Sequence, residues 1–261
     1  MILAVDIGNT NIVIGALDEE KIVFIERLST NTKKTELEYA MDIKSILGLH
    51  KIEEDSIDGG IIASVVPTLT DILSKSIKKL LNIDSLIVGP GIKTGVNIRL
   101  DNPAEIGADM VACAVCAVTE YKAPALIIDL GTANTVSVID ENKNILGGLI
   151  MPGIGVSLEA LTESAAQLID ISMDIPKDII GKNTKECMKS GIIYGNAAMI
   201  DGVIDRIAEK MGHDLTLIAT GGLSKLIIPF CKHKITMDEN LLHKGLGYIY
   251  RKNINDNRLT K

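Results

Sequence analysis

Apolar residues open the chain as a run from Met1 to Val5, which Asp6, Gly8, Asn9 and Thr10 then interrupt. Two more apolar runs follow at turn-like spacing. β-prone runs bounded by Gly, Asn and Asp predict strands over 2–7, 12–17 and 21–28, joined as a meander. Thr35 and Glu38 have the spacing of a helix capping box, and Leu37, Met41, Ile43, Ile46 and Leu47 give a helical apolar face ending near Gly48. Residues 60–66 read as a buried strand, Pro67 as the first residue of a helix reaching about Leu81, and 85–88 as a short strand. Residues 89–102 read as loop. Asn102 and Pro103 predict a cap and first position for an Ala-rich helix from 103 to about 121.

The pattern then begins again. Leu126-Ile-Ile-Asp129-Leu-Gly131-Thr132-Ala133-Asn134 repeats the opening hairpin, and one constant offset carries Asp6 onto Asp129, Gly8 onto Gly131, Asn11 onto Asn134 and Val13 onto Val136. A third strand is expected at 144–150, helices at about 156–168 and from Thr184 to Met211, and a strand at 215–219 ending in Thr220-Gly221-Gly222. A helix, a short segment near 233–236 and a last helix around 239–251 complete the chain. Two halves follow, 1–120 and 121–261, each opening on an Asp-x-Gly hairpin.

That turn carries candidate chemistry. Gly8 lets backbone approach an anion closely, and Asn9, Thr10 and Asn11 surround it with donors. Asp6 ends its strand, where a carboxylate can hold a hydrated cation beside phosphate. The net charge of −7 disfavours a broad nucleic-acid or anionic-membrane surface. Two Phe and no Trp supply a poor platform for stacking bases. No apolar stretch reaches membrane-spanning length, and the short start, with its Asp and no basic leader, does not read as a signal peptide. Four cysteines in a chain of 261 residues do not suggest a disulfide framework, so the cytoplasm is the expected location.

Asp6-Ile-Gly-Asn-Thr10, Gly107-Ala-Asp109, Asp129-Leu-Gly-Thr-Ala133, Gly147-Gly-Leu-Ile-Met-Pro-Gly153 and Asn183-Thr184 occur in an order and spacing that resembles type III pantothenate kinases. Ser64-Val-Val-Pro67 and Ser190-Gly-Ile-Ile-Tyr-Gly195 extend the likeness. The resemblance implies an α/β fold of two related ribonuclease H-like halves, as in the acetate and sugar kinase/heat-shock ATPase/actin superfamily, with the nucleotide in the cleft between halves. It implies transfer of the γ-phosphoryl group of ATP to the primary hydroxyl of pantothenate, the first step of coenzyme A synthesis.

Residue by residue, the resemblance gives Asp109 as the proton acceptor. The hairpin residues Asp6, Ile7, Gly8, Asn9, Thr10, Asn11, Ile12 and Val13 would wrap the ATP phosphates, with Thr132 and Ala133 acting from the other half. Gly221 and Gly222 would lie on the adenosine side. Leu100, Gly107, Ala108, Asp109, Met110 and Thr184 would meet pantothenate. Mg²⁺ would sit near Asp6, directly or through water, and K⁺ or NH₄⁺ near Asp129. A homodimer is implied, with Thr184 acting on the partner's pocket; Thr184 also reads as a plain helix N-terminal residue capped by Asn183.

Two positions depart from the family pattern. Met110 stands where an Arg usually follows Gly-Ala-Asp, and Leu100 stands where an aromatic residue is common. A well-made guanidinium–carboxylate bond contributes roughly 1.5–3 kcal/mol, so its loss predicts weaker or altered acyl-substrate recognition unless Arg99 or a Lys from elsewhere substitutes. Alternatives are a kinase of the same fold for another small hydroxylated substrate, or a non-catalytic nucleotide-binding paralogue with a regulatory role. Cys113 and Cys116, inside an Ala/Val-rich helix with no second pair, read as core residues rather than a redox or zinc site. His50, His213, His233 and His243 read as loop or element-end residues without a metal spacing.

Overall fold

The structure, a computed structural model, describes residues 1–19, 21–164 and 171–259, with side chains described as far as Ile254. Two compact units divide it: residues 1–96, 100–119 and 240–261 form the first, and residues 97–99 and 120–239 the second.

In the first unit, β1 (Ile2–Ile7), β2 (Asn11–Asp18) and β3 (Lys21–Ser29) form the expected meander, and β4 (Gly59–Ser64) and β5 (Ser85–Ile87) extend the other edge. The order is β3-β2-β1-β4-β5, antiparallel on one side of β1 and parallel on the other. Leu3, Ala4, Val5 and Ile7 of β1 are fully buried, as a central strand covered on both faces requires. One face carries Leu3, Val5, Ile7 and Ile14 against Tyr39, Ile43 and Leu47 of α1 (Glu36–Leu49) and Leu69, Leu73 and Ile77 of α2 (Pro67–Leu81). The capping box is complete: the Thr35 hydroxyl accepts from Glu38 N–H, and the Glu38 carboxylate accepts from Thr35 N–H.

The helix expected from 103 is split. Asn102 caps only a 3₁₀ turn, Pro103–Glu105, and α3 (Ala108–Glu120) starts after a break at Ile106 and Gly107. The loop before it holds a strand too short for periodicity to reveal, β6 (Asn97–Ile98), which pairs in the second unit.

The second unit repeats the first. β7 (Ala125–Leu130), β8 (Ala133–Ile139) and β9 (Asn144–Pro152) form the meander, and β10 (Thr216–Thr220) and β11 (Thr236–Met237) lie parallel beyond β7. The order β11-β10-β7-β8-β9 matches the first sheet, with β6 added beside β9. Helix α4 (Ile154–Ser164) starts two residues earlier than expected; residues 165–168 of that expectation lie outside the described residues. Helix α5 (Thr184–Met211) has the expected bounds, capped by Asn183 and ended by Gly212 in the left-handed conformation. Its Ile193, Ala197, Ile200 and Ile204 pack on Leu126, Ile128, Leu130 and Val136. A four-residue helix, α6 (Ser224–Ile227), follows β10.

The last helix, α7 (Leu241–Leu259), runs longer than expected and belongs to the first unit, where it packs on β1 and β4. Close approaches explain the placement. A Cβ on Gly245 would meet the Ala112 carbonyl of α3, and one on Gly59 of β4 would meet the Tyr250 hydroxyl. A Cβ on Gly15 would lie 2.8 Å from Cδ2 of His243, so α7 covers the sheet face opposite α1 and α2. His243, in the first turn of α7, is therefore 4% exposed. Cys113 and Cys116 are buried in α3. Among the described residues no helix is long and apolar enough to cross a membrane.

Candidate active site

The first hairpin places Asp6 opposite Val13 and Ile7 opposite Ile12, leaving Gly8, Asn9, Thr10 and Asn11 as the turn. Gly8 N–H donates to Asn11 O at 2.9 Å, an approach that puts a Gly8 Cβ at 3.0 Å from that oxygen. Ile7 and Ile12 are fully buried, so only their backbone can meet a ligand, whereas Asn9 and Thr10 are exposed and Asp6, Gly8, Asn11 and Val13 half-buried. Thr30, which the sequence reading missed, anchors the turn. Its hydroxyl donates to Gly8 O at 2.7 Å and its N–H to Thr10 O at 3.0 Å. Both carbonyls are thereby tied back, and carbonyl oxygens are the backbone groups that repel an anion.

The second hairpin is one residue tighter. Asp129 pairs with Thr135 and Leu130 with Asn134, so the turn is Gly131, Thr132 and Ala133. The constant offset read from sequence therefore fails past the turn: Ala133 takes the place of Asn11, and Asn134 that of Ile12. Asn134 is accordingly fully buried and bonded to Asn196 of α5 at 3.3 Å, while Thr132 and Ala133 are exposed. Gly153 lies against this turn so closely that a Cβ would fall 1.9 Å from Thr132 O. That approach brings the start of α4 to the hairpin, and a helix N-terminus presents N–H groups to anions.

Gly221 completes this part. β10 runs parallel to β7 with Thr220 beside Asp129, and Leu223 N–H returns to Leu130 O at 3.2 Å. Gly221 has φ +92°, and a Cβ there would lie 2.4 Å from Asp129 Oδ1 and 2.6 Å from Leu130 O. Glycine is required on both counts. The Gly221-Gly222 turn thus sits directly against the second acidic hairpin. Asp129 Oδ1 and Leu130 O both lie against Gly221, and oxygen is the donor type that hard cations take.

Asp109 lies half-buried in the first turn of α3, with its Oδ1 accepting Met110 N–H at 2.8 Å. A Cβ on Gly107 would come within 2.2 Å of that oxygen, so the bare glycine leaves room for the Asp109 carboxylate. Ala108, Met110 and Leu100 are half-buried, and Thr184 is exposed at the start of α5 behind its Asn183 cap.

The repeated sheet order, with an Asp-x-Gly hairpin opening each unit, defines an α/β protein built from two related units. The family model for type III pantothenate kinase matches residues 2–206. A type III pantothenate kinase of Halalkalibacterium halodurans is 44% identical over 97% of this chain and all of its own length, and one from an Exiguobacterium species is 41% identical over 97% and 99%. The chain belongs to the type III pantothenate kinase family. Solved structures with the same fold include a Baf family transcriptional activator from Campylobacter jejuni (TM-score 0.60, 20% identity, 97% of this chain and 100% of that one). Another is MreB 5 of Spiroplasma citri bound to AMPPNP (TM-score 0.56, 11% identity, 99% and 98%).

Proposed function

We propose that the protein transfers the γ-phosphoryl group of ATP to the primary hydroxyl of pantothenate, giving 4′-phosphopantothenate and ADP, with Asp109 as the proton acceptor. One observation carries the activity: near-full-length similarity, at 44% identity, to a type III pantothenate kinase. Asp6, Asp109 and Asp129 are all present in that frame.

In this reading the turns at Gly8–Asn11 and Gly131–Ala133 hold the ATP phosphates, and Gly221 and Gly222 lie on the adenosine side. Asp109 accepts the hydroxyl proton as the substrate oxygen bonds to the γ-phosphorus and the bond to the β-phosphate oxygen breaks. Leu100, Gly107, Ala108 and Met110 line the acceptor side. The oxygen donors at Asp6 suit Mg²⁺, directly or through water, and those at Asp129 suit K⁺ or NH₄⁺. When bound, these cations offset the triphosphate charge in a chain of net charge −7.

A cytoplasmic homodimer goes with this reading, Thr184 contributing to the partner's pocket. The second unit supports a dimer by exposing large apolar side chains, among them Ile150 (77%), Ile180 (74%) and Ile175 (61%), together with Leu149, Val156 and Ile179. An association surface would cover such side chains.

The test is a coupled ADP-release assay with pantothenate, Mg²⁺ and K⁺. The expected result is pantothenate-dependent turnover that falls about 100-fold or more in Asp109→Asn, the scale of general-base catalysis. No pantothenate-dependent ADP release from the wild type overturns the assignment; full activity in Asp109→Asn overturns the proton-acceptor role. Replacing K⁺ by Na⁺ is expected to lower the rate strongly, and an unchanged rate removes the monovalent cation at Asp129.

A further inference from the structure

The chain enters the second unit for three residues, Asn97–Arg99, immediately before the acceptor-side segment Leu100–Met110. Two residues of β6 are too few to hold themselves by ladder bonds alone. A buried polar network at the β8–β9 turn does the holding. Asp140 is 6% exposed, and its Oδ1 accepts N–H bonds from Asn142 at 2.9 Å and Asn144 at 2.8 Å. Its Oδ2 accepts from Nδ2 of Asn144 at 2.7 Å. These bonds draw its carboxyl below the usual range against the opposing pull of burial, and the positive charge of Arg99 acts the same way.

An ionised carboxylate only accepts, so Asn144 must turn its amide nitrogen toward Asp140. Its Oδ1 then faces the other way, where Nδ2 of Asn97 donates to it at 3.1 Å. Arg99 N–H to Ile145 O at 2.8 Å makes the next rung. Upstream, Asn253 of α7 ties Lys93 by two bonds, accepting its N–H at 3.1 Å and donating to its carbonyl at 2.9 Å. Between these two ties lie Thr94, Gly95 at φ +84°, and Val96. Downstream, the segment to Gly107 holds only the 3₁₀ turn at Pro103–Glu105.

We infer that Asn97, oriented through Asn144 by Asp140, is a positioning residue for acceptor-substrate binding: it fixes the chain where it enters Leu100–Met110. This rests on the acceptor-side roles proposed for that segment.

Asn97 is exposed, so its replacement does not put the core at risk. Asn97→Ala removes the donor, and the near-isosteric Asn97→Asp sets a carboxylate against Asn144 Oδ1. In both, the pantothenate KM is expected to rise about three- to tenfold, the reach of one hydrogen bond, with the ATP KM within about twofold. Hydrogen–deuterium exchange over residues 98–107 is expected to quicken in both variants. Unchanged exchange there overturns the tether. Faster exchange with an unchanged pantothenate KM overturns the positioning role, as does an equal rise in both KM values. Failure of the underlying site reading shows separately, as turnover that survives Asp109→Asn.

Discussion

His243 should make the first unit acid-labile. It lies in α7 behind β2, 4% exposed, with Nε2 3.4 Å from Val13 O and its ring against Gly15. Burial, which disfavours the charged ring, lowers its pKa from 6.5 to about 4; the Val13 carbonyl opposes this and the Arg27 charge adds to it. A base whose folded pKa lies below its unfolded value is neutral in the fold and charged in the open chain at intermediate pH. The unfolded state then binds more protons, so stability is full above about pH 6.5 and falls with pH until about pH 4. Between pH 7 and pH 5 the loss is about 2 kcal/mol, from 1.36 kcal/mol per unit over the part of that interval below the unfolded pKa. Urea unfolding followed by circular dichroism at both pH values measures it, and His243→Gln, which keeps an N–H for Val13 O and does not titrate, is the comparison. Taking the difference between the two proteins cancels what the other three histidines contribute. If His243→Gln loses as much stability as the wild type between pH 7 and pH 5, the buried neutral ring is not the cause.

Two further outcomes rest on particular contacts. Gly221→Ala places a methyl group 2.4 Å from Asp129 Oδ1 at φ +92°, so it should cost about 1–3 kcal/mol in urea unfolding and raise the ATP KM; an unchanged KM would separate this turn from the nucleotide. Ile150→Glu sets a charge on the most exposed of the large apolar side chains on β9, so light scattering should report a monomer where the wild type is a dimer; a dimeric variant, or a monomeric wild type, rejects that surface.

Much of the scaffold is legible in the sequence because its strands are apolar runs stopped by turn residues. The meander at 2–28, Pro67 at the start of α2, the Thr35–Glu38 box and the bounds of α5 all follow from local chemistry. What escapes depends on partners far away in sequence. Asn102-Pro103 is a genuine cap signal, but the backbone at Ile106 is extended, so the turn ends there and α3 starts anew at Ala108. β6 has two residues, too few for any period, and exists because Asn144 and Ile145 receive it. The repeat between hairpins is visible, yet the missing turn residue is not; only the pairing of Leu130 with Asn134 shows that an Asn has taken a core position. Thr30 carries no motif, and its role appears once β3 brings it to Gly8 and Thr10. The chemistry at Asp6, Asp109 and Asp129 is readable as residue types, while their roles rest on the family.

The placement of α7 sets an order on synthesis. Residues 120–239 are contiguous and contain nearly all of their own sheet, so that unit is complete in sequence before residues 240–261 are reached. The first unit has no such freedom. Its sheet comes early in the chain, but the helix that covers the Gly15 and Gly59 face comes only after the whole second unit. Until then that face lacks its covering helix through the making of the whole insert. The hairpin carrying Asp6 therefore waits through the whole second unit for its covering helix, and a chain stopped at residue 240 would keep every residue proposed here for the site while leaving β1 covered on one face only.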